Sequence, residues 1–459
     1  MQNIRENKMG TQNINSLLLT MAIPMMISML TQALYNVVDT LFVSRLGNDA
    51  LTALSLAFPV QNLLIAIGVG TGVGTNALLS RYLGEKKFDR ANKVAANGVF
   101  LAMASTAVVV LLGIFCVKPY FKFFGATESV TDLGVDYLSI CMIFSIGLFG
   151  QIMYEKLLQS TGKTVYSMVI QLIGAVTNIV LDPILIFGYF GLPAMGVTGA
   201  AIATVAGQII SFLSGIFINR HFNKEITVST KEITKPDKEI IKKIYSVGVP
   251  SICMASIGSV MTACMNQIMR LFGNDTAQAG QAVFGIYFKL QSFVFMPIFG
   301  LNNGMVPIVA YNFGAKNKER IKRTVKLASI YATLIMVIGF LAFQIFPEAL
   351  LRMFDTGEDM EGIIRIGIPM MRFISISFLL AGFCIVAGSV FQALGKGSLS
   401  LIVSVCRQLV VLIPAAFILA LATRDITYMW AAFPIAEISS FTLSLVYMKR
   451  IYREKVNTL

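Results

Sequence analysis

The sequence predicts an all-α membrane protein with twelve transmembrane helices, arranged as two six-helix lobes related by a pseudo-two-fold axis along the membrane normal. Hydrophobic residues make up 56% of the chain and charged residues only 13%, whereas soluble domains carry about 25% charged residues. The apolar residues form long uninterrupted blocks, and the second half of the chain repeats motifs of the first. These three observations exclude an ordinary soluble protein, because too few charges are available to cover its surface.

The apolar blocks are long enough to cross a bilayer, which takes roughly 20 residues of helix. Hydrocarbon satisfies no backbone polar group, so each block must be helical, and the alternating pattern of barrel strands is absent. The twelve predicted spans lie near 17–44, 52–80, 92–116, 132–155, 165–187, 194–218, 243–269, 279–309, 326–346, 362–392, 398–420 and 427–448.

Basic residues alternate between the two sides of this arrangement. Of the 37 Lys and Arg residues, 27 lie at the termini or in loops on the same side as the termini, and 7 lie in the opposite loops. Cytoplasmic loops carry the excess of Lys and Arg, so both termini are predicted to be cytoplasmic. The net charge of +13 therefore reflects membrane orientation, and we expect no nucleic-acid partner.

Short motifs of the first half recur in the second. Ile23-Pro24 matches Val249-Pro250, and the segment 158–163 matches 391–396. Each repeat has an even number of spans, so both repeats start on the same side and are parallel, as in transporters whose substrate binds between two lobes. The predicted division is an N-lobe at 1–222, a cytoplasmic linker at 223–242 and a C-lobe at 243–459.

Several motifs resemble the multidrug and toxic compound extrusion (MATE) transporters. They are Pro24 followed fifteen residues later by Asp39, a Gly-rich second span that ends at 80–84, the segment 178–183, and the segment 196–204. The resemblance covers nearly the whole chain. It implies twelve helices in two lobes with a V-shaped cavity in the cytoplasmic membrane, and export of small organic compounds driven by the entry of Na⁺ or H⁺.

Acidic residues inside spans are rare because a charge is costly there, and two of them lie at a similar depth. Asp39 and Asp182 are each about 9 Å from the outer end of their helices at 1.5 Å per residue. Asn178 lies one turn deeper than Asp182, Asn36 nearly one turn below Asp39, and Thr204 close to the level of Asn178. Such oxygens bind hard cations.

The resemblance implies that Asp39, Asn178, Asp182 and Thr204 form a cation site in the N-lobe, although Thr198 also fits the threonine position. Two nearby buried carboxylates cannot both stay charged and unpaired; they either share a proton or hold Na⁺, and the residues leave both open. Alternatively, both aspartates could satisfy local backbone groups. We expect Pro24 to act as a hinge in the first span.

The second half carries four in-span charges: Lys289, Arg372, Arg407 and Glu437. Three of them lie near mid-depth, so the set is a candidate lining of the substrate cavity. Its net positive charge favours an anionic or zwitterionic substrate. Alternatively, Glu437 pairs with one of the bases and the others bond helix-end carbonyls.

Other functional classes are disfavoured by the sequence. The Gly-rich segment 68–74 has no βαβ context, so we expect no nucleotide. No catalytic cluster is visible in the sequence, so we expect no enzyme and no cofactor beyond the coupling ion. The interpretation is a monomeric cation-coupled exporter of small molecules in the lipid bilayer. The alternatives are a flippase of lipid-linked or anionic precursors, from a related superfamily, and a non-transporting receptor or scaffold.

Overall fold

The computed structural model describes residues 7–354 and 360–459. Inside its helices, seven side chains are not described: those of Asn36, Val37, Asp39, Thr40, Ser44, Asn274 and Met360. All regular secondary structure in the described ranges is helical, as predicted.

Ten helices among the described residues are long and apolar enough to cross a membrane alone, and two bent helix pairs bring the number of spans to twelve. The α-helices of nine residues or more are α1 (Ile14–Ser44), α2 (Asn48–Gly84), α3 (Phe88–Phe115), α4 (Glu128–Ile143), α5 (Ile146–Ser160), α6 (Thr164–Phe187), α7 (Gly196–Phe222), α8 (Lys238–Met269), α9 (Asn274–Gly314), α10 (Lys318–Ile345), α11 (Met360–Ser375), α12 (Phe378–Ala393), α13 (Gly397–Val405), α14 (Ile413–Thr423) and α15 (Ala432–Ile451).

The bent pairs α4–α5 and α11–α12 are single uninterrupted spans in the sequence prediction. The structure bends the first by 45° and the second by 52°. At each break a serine N–H donates to the carbonyl three residues earlier, Ser145 to Met142 at 3.3 Å and Ser377 to Ile374 at 3.0 Å. The hydropathy stays high through these turns, so composition alone does not reveal the break.

The eleventh span contains a wider helical segment. Residues Cys406–Leu412 are π-helical and connect α13 to α14. Pro414 lies two residues after this segment and lacks the N–H that would bond the carbonyl of Val410 in an α-helix. A proline and a π-segment are both common causes of local helix distortion.

The two halves of the chain contact each other through glycines. A Cβ added to Gly304 of α9 would lie 2.8 Å from the Cα of Ala22 in α1, and a Cβ on Gly300 would lie 2.5 Å from the Cα of Met26. Small residues allow two helix backbones to approach this closely within a membrane. The glycines therefore set the packing between α1 and α9.

A second glycine contact lies where α2 and α9 end. A Cβ on Gly84 would lie 1.9 Å from the carbonyl oxygen of Tyr311, and a Cβ on Gly314 would lie 2.0 Å from that of Arg81. We call this end of the bundle, with the N-terminal segment and the loops 85–87 and 315–317, the basic end.

The N-terminal segment lies across both halves at the basic end. Asn7 Nδ2 donates to the carbonyl oxygen of Thr161 at 3.2 Å. Arg320 Nη2 and Asn312 Nδ2, both from the second half, donate to the carbonyl oxygen of Met9 at 3.0 Å. Met9 is completely buried. The segment therefore connects the first and second halves.

The glycine contact at the basic end generates a stability prediction. We expect Gly84→Ala and Gly314→Ala each to lower the melting temperature of the purified protein, because forcing a methyl group into a packed contact costs about 1–3 kcal/mol. Gly285→Ala is the control, since a Cβ at Gly285 would meet nothing within 4 Å. Unfolding is followed through the fluorescence of Trp430, the single tryptophan of the chain. Equal melting temperatures for all three variants would contradict the close approach.

Candidate functional site

Three of the predicted cation ligands are buried, two on α6 and one on α7. Asp182 is 0% exposed, Asn178 is 3% exposed and Thr204 is 8% exposed. Asn178 Nδ2 donates a hydrogen bond to Thr204 Oγ1 at 3.3 Å. The half-buried Thr198, which also fits the threonine position, lies near the start of α7. Thr204 is therefore the threonine that contacts Asn178.

Close packing of α6 on α7 produces this contact. A Cβ on Gly207 would lie 2.8 Å from the carbonyl oxygen of Gly174 and 3.3 Å from Asn178 Cβ. One turn further, Ser211 Oγ donates to the carbonyl oxygen of Ile170 at 3.0 Å. Because the two backbones nearly touch, polar side chains on the facing surfaces are enclosed between them.

Helix α1 runs beside α6 and is anchored to it at two levels. Gln171 Nε2 donates to Gln32 Oε1 at 3.2 Å. Near the other end, the rings of Phe42 and Phe187 pack edge-to-face with their centroids 6.3 Å apart. The stretch of α1 between these anchors therefore runs along the part of α6 that carries the buried amide and carboxyl groups.

Asn36 and Asp39, the other two predicted ligands, belong to this stretch of α1. Their side chains lie outside what the structure describes, so their orientation stays a prediction. On α6, Asn178 Oδ1 accepts no hydrogen bond from the described residues. The structure thus brings together Asn178 and Thr204, with Asp182 one helical turn further along the same helix.

The chemistry of this cluster is that of oxygen donors in an apolar bundle. An amide oxygen, a hydroxyl and a buried carboxylate are ligands that Na⁺ or another hard cation accepts. Among the described residues, no group of three or more His, Cys, Asp or Glu side chains could hold a metal ion. The cation prediction rests on the oxygens of Asn178, Asp182 and Thr204.

Pro24, the predicted hinge, lies inside the continuous helix α1. Pro24 is buried, and its neighbours Ala22 and Met26 are the residues that contact Gly304 and Gly300 of α9. A proline removes one intrahelical hydrogen bond, which weakens the helix locally. Its role as a hinge stays a prediction, at a position where α1 contacts the other half.

The four charges of the second half do not form one cluster. Arg407 Nη1 and Glu437 Oε2 form an ion pair at 3.3 Å. Lys289 is exposed, with its ammonium 5.9 Å from the ring centroid of Phe354. Arg372 is also exposed, and its carbonyl oxygen accepts a hydrogen bond from Gln344 Nε2 at 2.8 Å. The pairing of Glu437 with one base matches the alternative considered for this set.

Lys156, which lies just beyond the predicted span 132–155, is buried and connects the two halves. Helix α5 extends to Ser160, so Lys156 lies within the helix and is only 6% exposed. Lys156 Nζ donates to Gln159 Oε1 and to Asn303 Oδ1 of α9, both at 3.0 Å. The neighbouring Glu155 is 8% exposed.

One local signal could have revealed the buried lysine. Gly72 of α2 faces its stem, and a Cβ there would lie 2.7 Å from Lys156 Cγ. The Gly-rich run 68–74 thus includes a position beside a charged side chain.

Comparison with known proteins gives consistent matches along most of the chain. The MatE family model matches residues 24–184 and 250–418. Multidrug export protein MepA of Staphylococcus haemolyticus is 27% identical over 399 residues, covering 87% of this chain and 85% of the relative. The protein of the same name from Staphylococcus saprophyticus is 28% identical over 406 residues, with the same two coverages.

Solved structures share the fold. An outward-facing structure of a multidrug resistance MATE family transporter of the MOP superfamily has a TM-score of 0.92 at 24% identity and covers 100% of both chains. A MOP superfamily transporter from Pyrococcus furiosus, whose binding pocket is described as having reversed polarity, has a TM-score of 0.91 at 24% identity and covers 98% of this chain and 99% of that one. The predicted helical fold is confirmed.

The buried lysine generates a second stability prediction. We expect Lys156→Met to lower the melting temperature, because leaving buried hydrogen-bond acceptors unpaired costs about 1–3 kcal/mol. Lys242→Met, at an exposed position near the basic end, should change stability by no more than about 0.5 kcal/mol.

A double variant separates the charge of Lys156 from its packing. Glu155→Gln combined with Lys156→Met should recover part of the lost stability, because it removes the carboxylate that Lys156→Met leaves without a nearby cation. A melting temperature for Lys156→Met equal to that of Lys242→Met would contradict the bridging role.

Proposed function

Because the chain belongs to the MatE family of membrane transporters, we propose that it exports small organic compounds across the cytoplasmic membrane in exchange for Na⁺ or H⁺. The observation that carries the coupling proposal is the hydrogen-bonded pair of Asn178 and Thr204 between α6 and α7, with the buried Asp182 one turn away on α6. A carboxyl group in that position is costly to keep charged. An entering cation would neutralise it.

The proposed architecture follows the charge distribution and the repeats. The N-lobe comprises 1–222, the linker 223–242 and the C-lobe 243–459, and the protein acts as a monomer. The basic end faces the cytoplasm, since 27 of the 37 Lys and Arg residues lie on that side. In this orientation the contacts between Gly84, Gly314 and their neighbours close the cytoplasmic side.

Coupling would use α1 as the moving element. This helix runs beside the cation cluster on α6 and also contacts α9 of the other half around Pro24. Neutralising Asp182 would change how closely α1 packs on α6, and a hinge at Pro24 would transmit that change to α9. Entry of one positive charge down a membrane potential supplies about 2.3 kcal/mol per 100 mV.

Whether the coupling ion is Na⁺ or H⁺ depends on whether the neutral oxygens of Thr204 and Asn178 take part in binding it. A proton requires only the carboxyl of Asp182 or Asp39, so Thr204→Val should leave a proton-coupled exporter largely active. Na⁺ requires several oxygen ligands, and the same substitution should weaken a sodium-coupled exporter. Asn178 Oδ1, which accepts no hydrogen bond from the described residues, supports the sodium alternative.

The substrate class is inferred from the relatives and from the second half. The curated relatives are named as multidrug export proteins. Arg407 is neutralised by Glu437, and Lys289 and Arg372 are exposed. These residues therefore do not form a cluster of positive charge that would attract an anion. Organic compounds are favoured as substrates over the anionic precursors that a flippase would move.

Transport by the purified protein tests the proposal. Proteoliposomes with an imposed Na⁺ or pH gradient should move ethidium against its gradient, and Asp182→Asn and Asp39→Asn should each lower the initial rate by about tenfold or more, equivalent to roughly 1.4 kcal/mol. Asp132→Asn, at an exposed position of α4, is the matched control and should retain the wild-type rate.

Two results would contradict the proposal. Gradient-driven transport that is unchanged in both Asn variants would remove the cation site from the coupling mechanism. Transport that is absent from the wild type under both gradients, for ethidium and other organic cations, would remove the export function.

A further inference from the structure

A cavity of about 330 Å³ whose lining includes three charged residues lies at the basic end, away from the cation cluster. Its lining comes from three segments: the N-terminal segment, the turn that precedes α6, and the loop that follows α7. The charged residues among its lining are Lys8, Lys163 and Glu225. The cavity is therefore a separate site, with two cations and one carboxylate.

The two lysines are held close to each other in partly buried positions. Lys8 packs over the turn before α6, where a Cβ on Gly162 would lie 3.1 Å from Lys8 Cε. Burial and the charge of Lys163 lower the pKa of Lys8. The carboxylate accepts a hydrogen bond from Asn7 Nδ2, and burial raises the pKa of Glu225. The charge of Glu225 acts in the opposite direction on the pKa of Lys8 and offsets one of the two lysine charges. A bound anion would relieve the repulsion that remains.

The start of α6 adds hydrogen-bond donors to this cavity. Helix α6 begins at Thr164, and no described side chain caps its first turn. The first N–H groups of a helix lack intrahelical acceptors and favour anions, phosphate in particular. Thr164 itself is 1% exposed and lines the cavity, and its hydroxyl makes no hydrogen bond with the described residues.

An apolar surface borders the cavity. Val165 is 46% exposed. The ring of Tyr166 stacks on Phe222 with centroids 5.0 Å apart, and Phe222 is also 46% exposed. Aromatic side chains with a polar neighbour are typical of the level where lipid headgroups meet the acyl chains. The charged residues of the cavity and the apolar surface beside it together match a phosphate attached to lipid tails.

We propose that this cavity binds the phosphate of an anionic lipid headgroup, held by Lys8, Lys163 and the N-terminus of α6. Basic pockets beside membrane helices are known to take such headgroups. Because Lys8 belongs to the N-terminal segment that connects the two halves, a bound lipid would stabilise the closed basic end. Free phosphate shares the same chemistry and is the other possible source of the anion.

Thermal unfolding of the full-length protein in detergent tests this site. Phosphatidylglycerol should raise the melting temperature more than phosphatidylcholine does. The double variant Lys8→Gln/Lys163→Gln should weaken the apparent Kd for phosphatidylglycerol on the order of tenfold. The double variant Lys238→Gln/Lys242→Gln removes two exposed lysines from α8 and should leave that Kd unchanged.

A third variant and the addition of inorganic phosphate complete this test. Thr164→Val should weaken lipid binding without lowering the melting temperature in detergent alone, which guards against a variant that merely unfolds. Inorganic phosphate should have little effect. A phosphate effect that depends on the two lysines, with no preference for phosphatidylglycerol, would overturn the lipid and assign the site to free phosphate. An unchanged response to phosphatidylglycerol in Lys8→Gln/Lys163→Gln would overturn the site.

Discussion

The close contact between the two halves of the chain is the constraint on which the rest of the structure depends. Gly300 and Gly304 bring α9 against α1, and Gly84 and Gly314 bring the ends of α2 and α9 together. Lipid offers no hydrophobic driving force for helix association, so close packing and polar contacts must hold the halves together. Lys156, reaching Asn303 across the same interface, supplies one of these polar contacts.

Helix α1 connects this interface to the candidate cation cluster. It is anchored to α6 through Gln32 and Phe42, and it contacts α9 on either side of Pro24. A change at the buried carboxyl of Asp182 and a change in the contact between the halves therefore act on the same helix. The proposed coupling requires α1 to have two arrangements that both sites can bias.

The spans could be predicted because they depend on local sequence, whereas the cation site stays a prediction. Block length and loop charge give the helices, and helical rise places Asn178 and Thr204 at one level, where the structure joins them by a hydrogen bond. The orientations of Asp39 and Asn36 stay predictions.

Features that depend on tertiary contacts could not be read from the sequence. The breaks at Ser145 and Ser377 occur inside continuous apolar blocks. The burial of Lys156 depends on Asn303, which is 147 residues away. The pair formed by Arg407 and Glu437 was one of several pairings that the sequence allowed, and only packing selects it.

The most direct test of this account is to lock the basic end closed. A Cβ on Gly314 would lie 3.0 Å from the backbone nitrogen of Glu85, and a Cβ on Gly84 would lie 3.0 Å from that of Ala315. The two backbones therefore lie side by side here, and the test introduces Glu85→Cys and Ala315→Cys together in a variant without the six native cysteines. The account predicts that oxidation of this pair stops gradient-driven transport, that reduction restores it, and that neither single variant responds. The account requires the two halves to separate at the basic end during transport. Transport at the same rate before and after complete oxidation would contradict it.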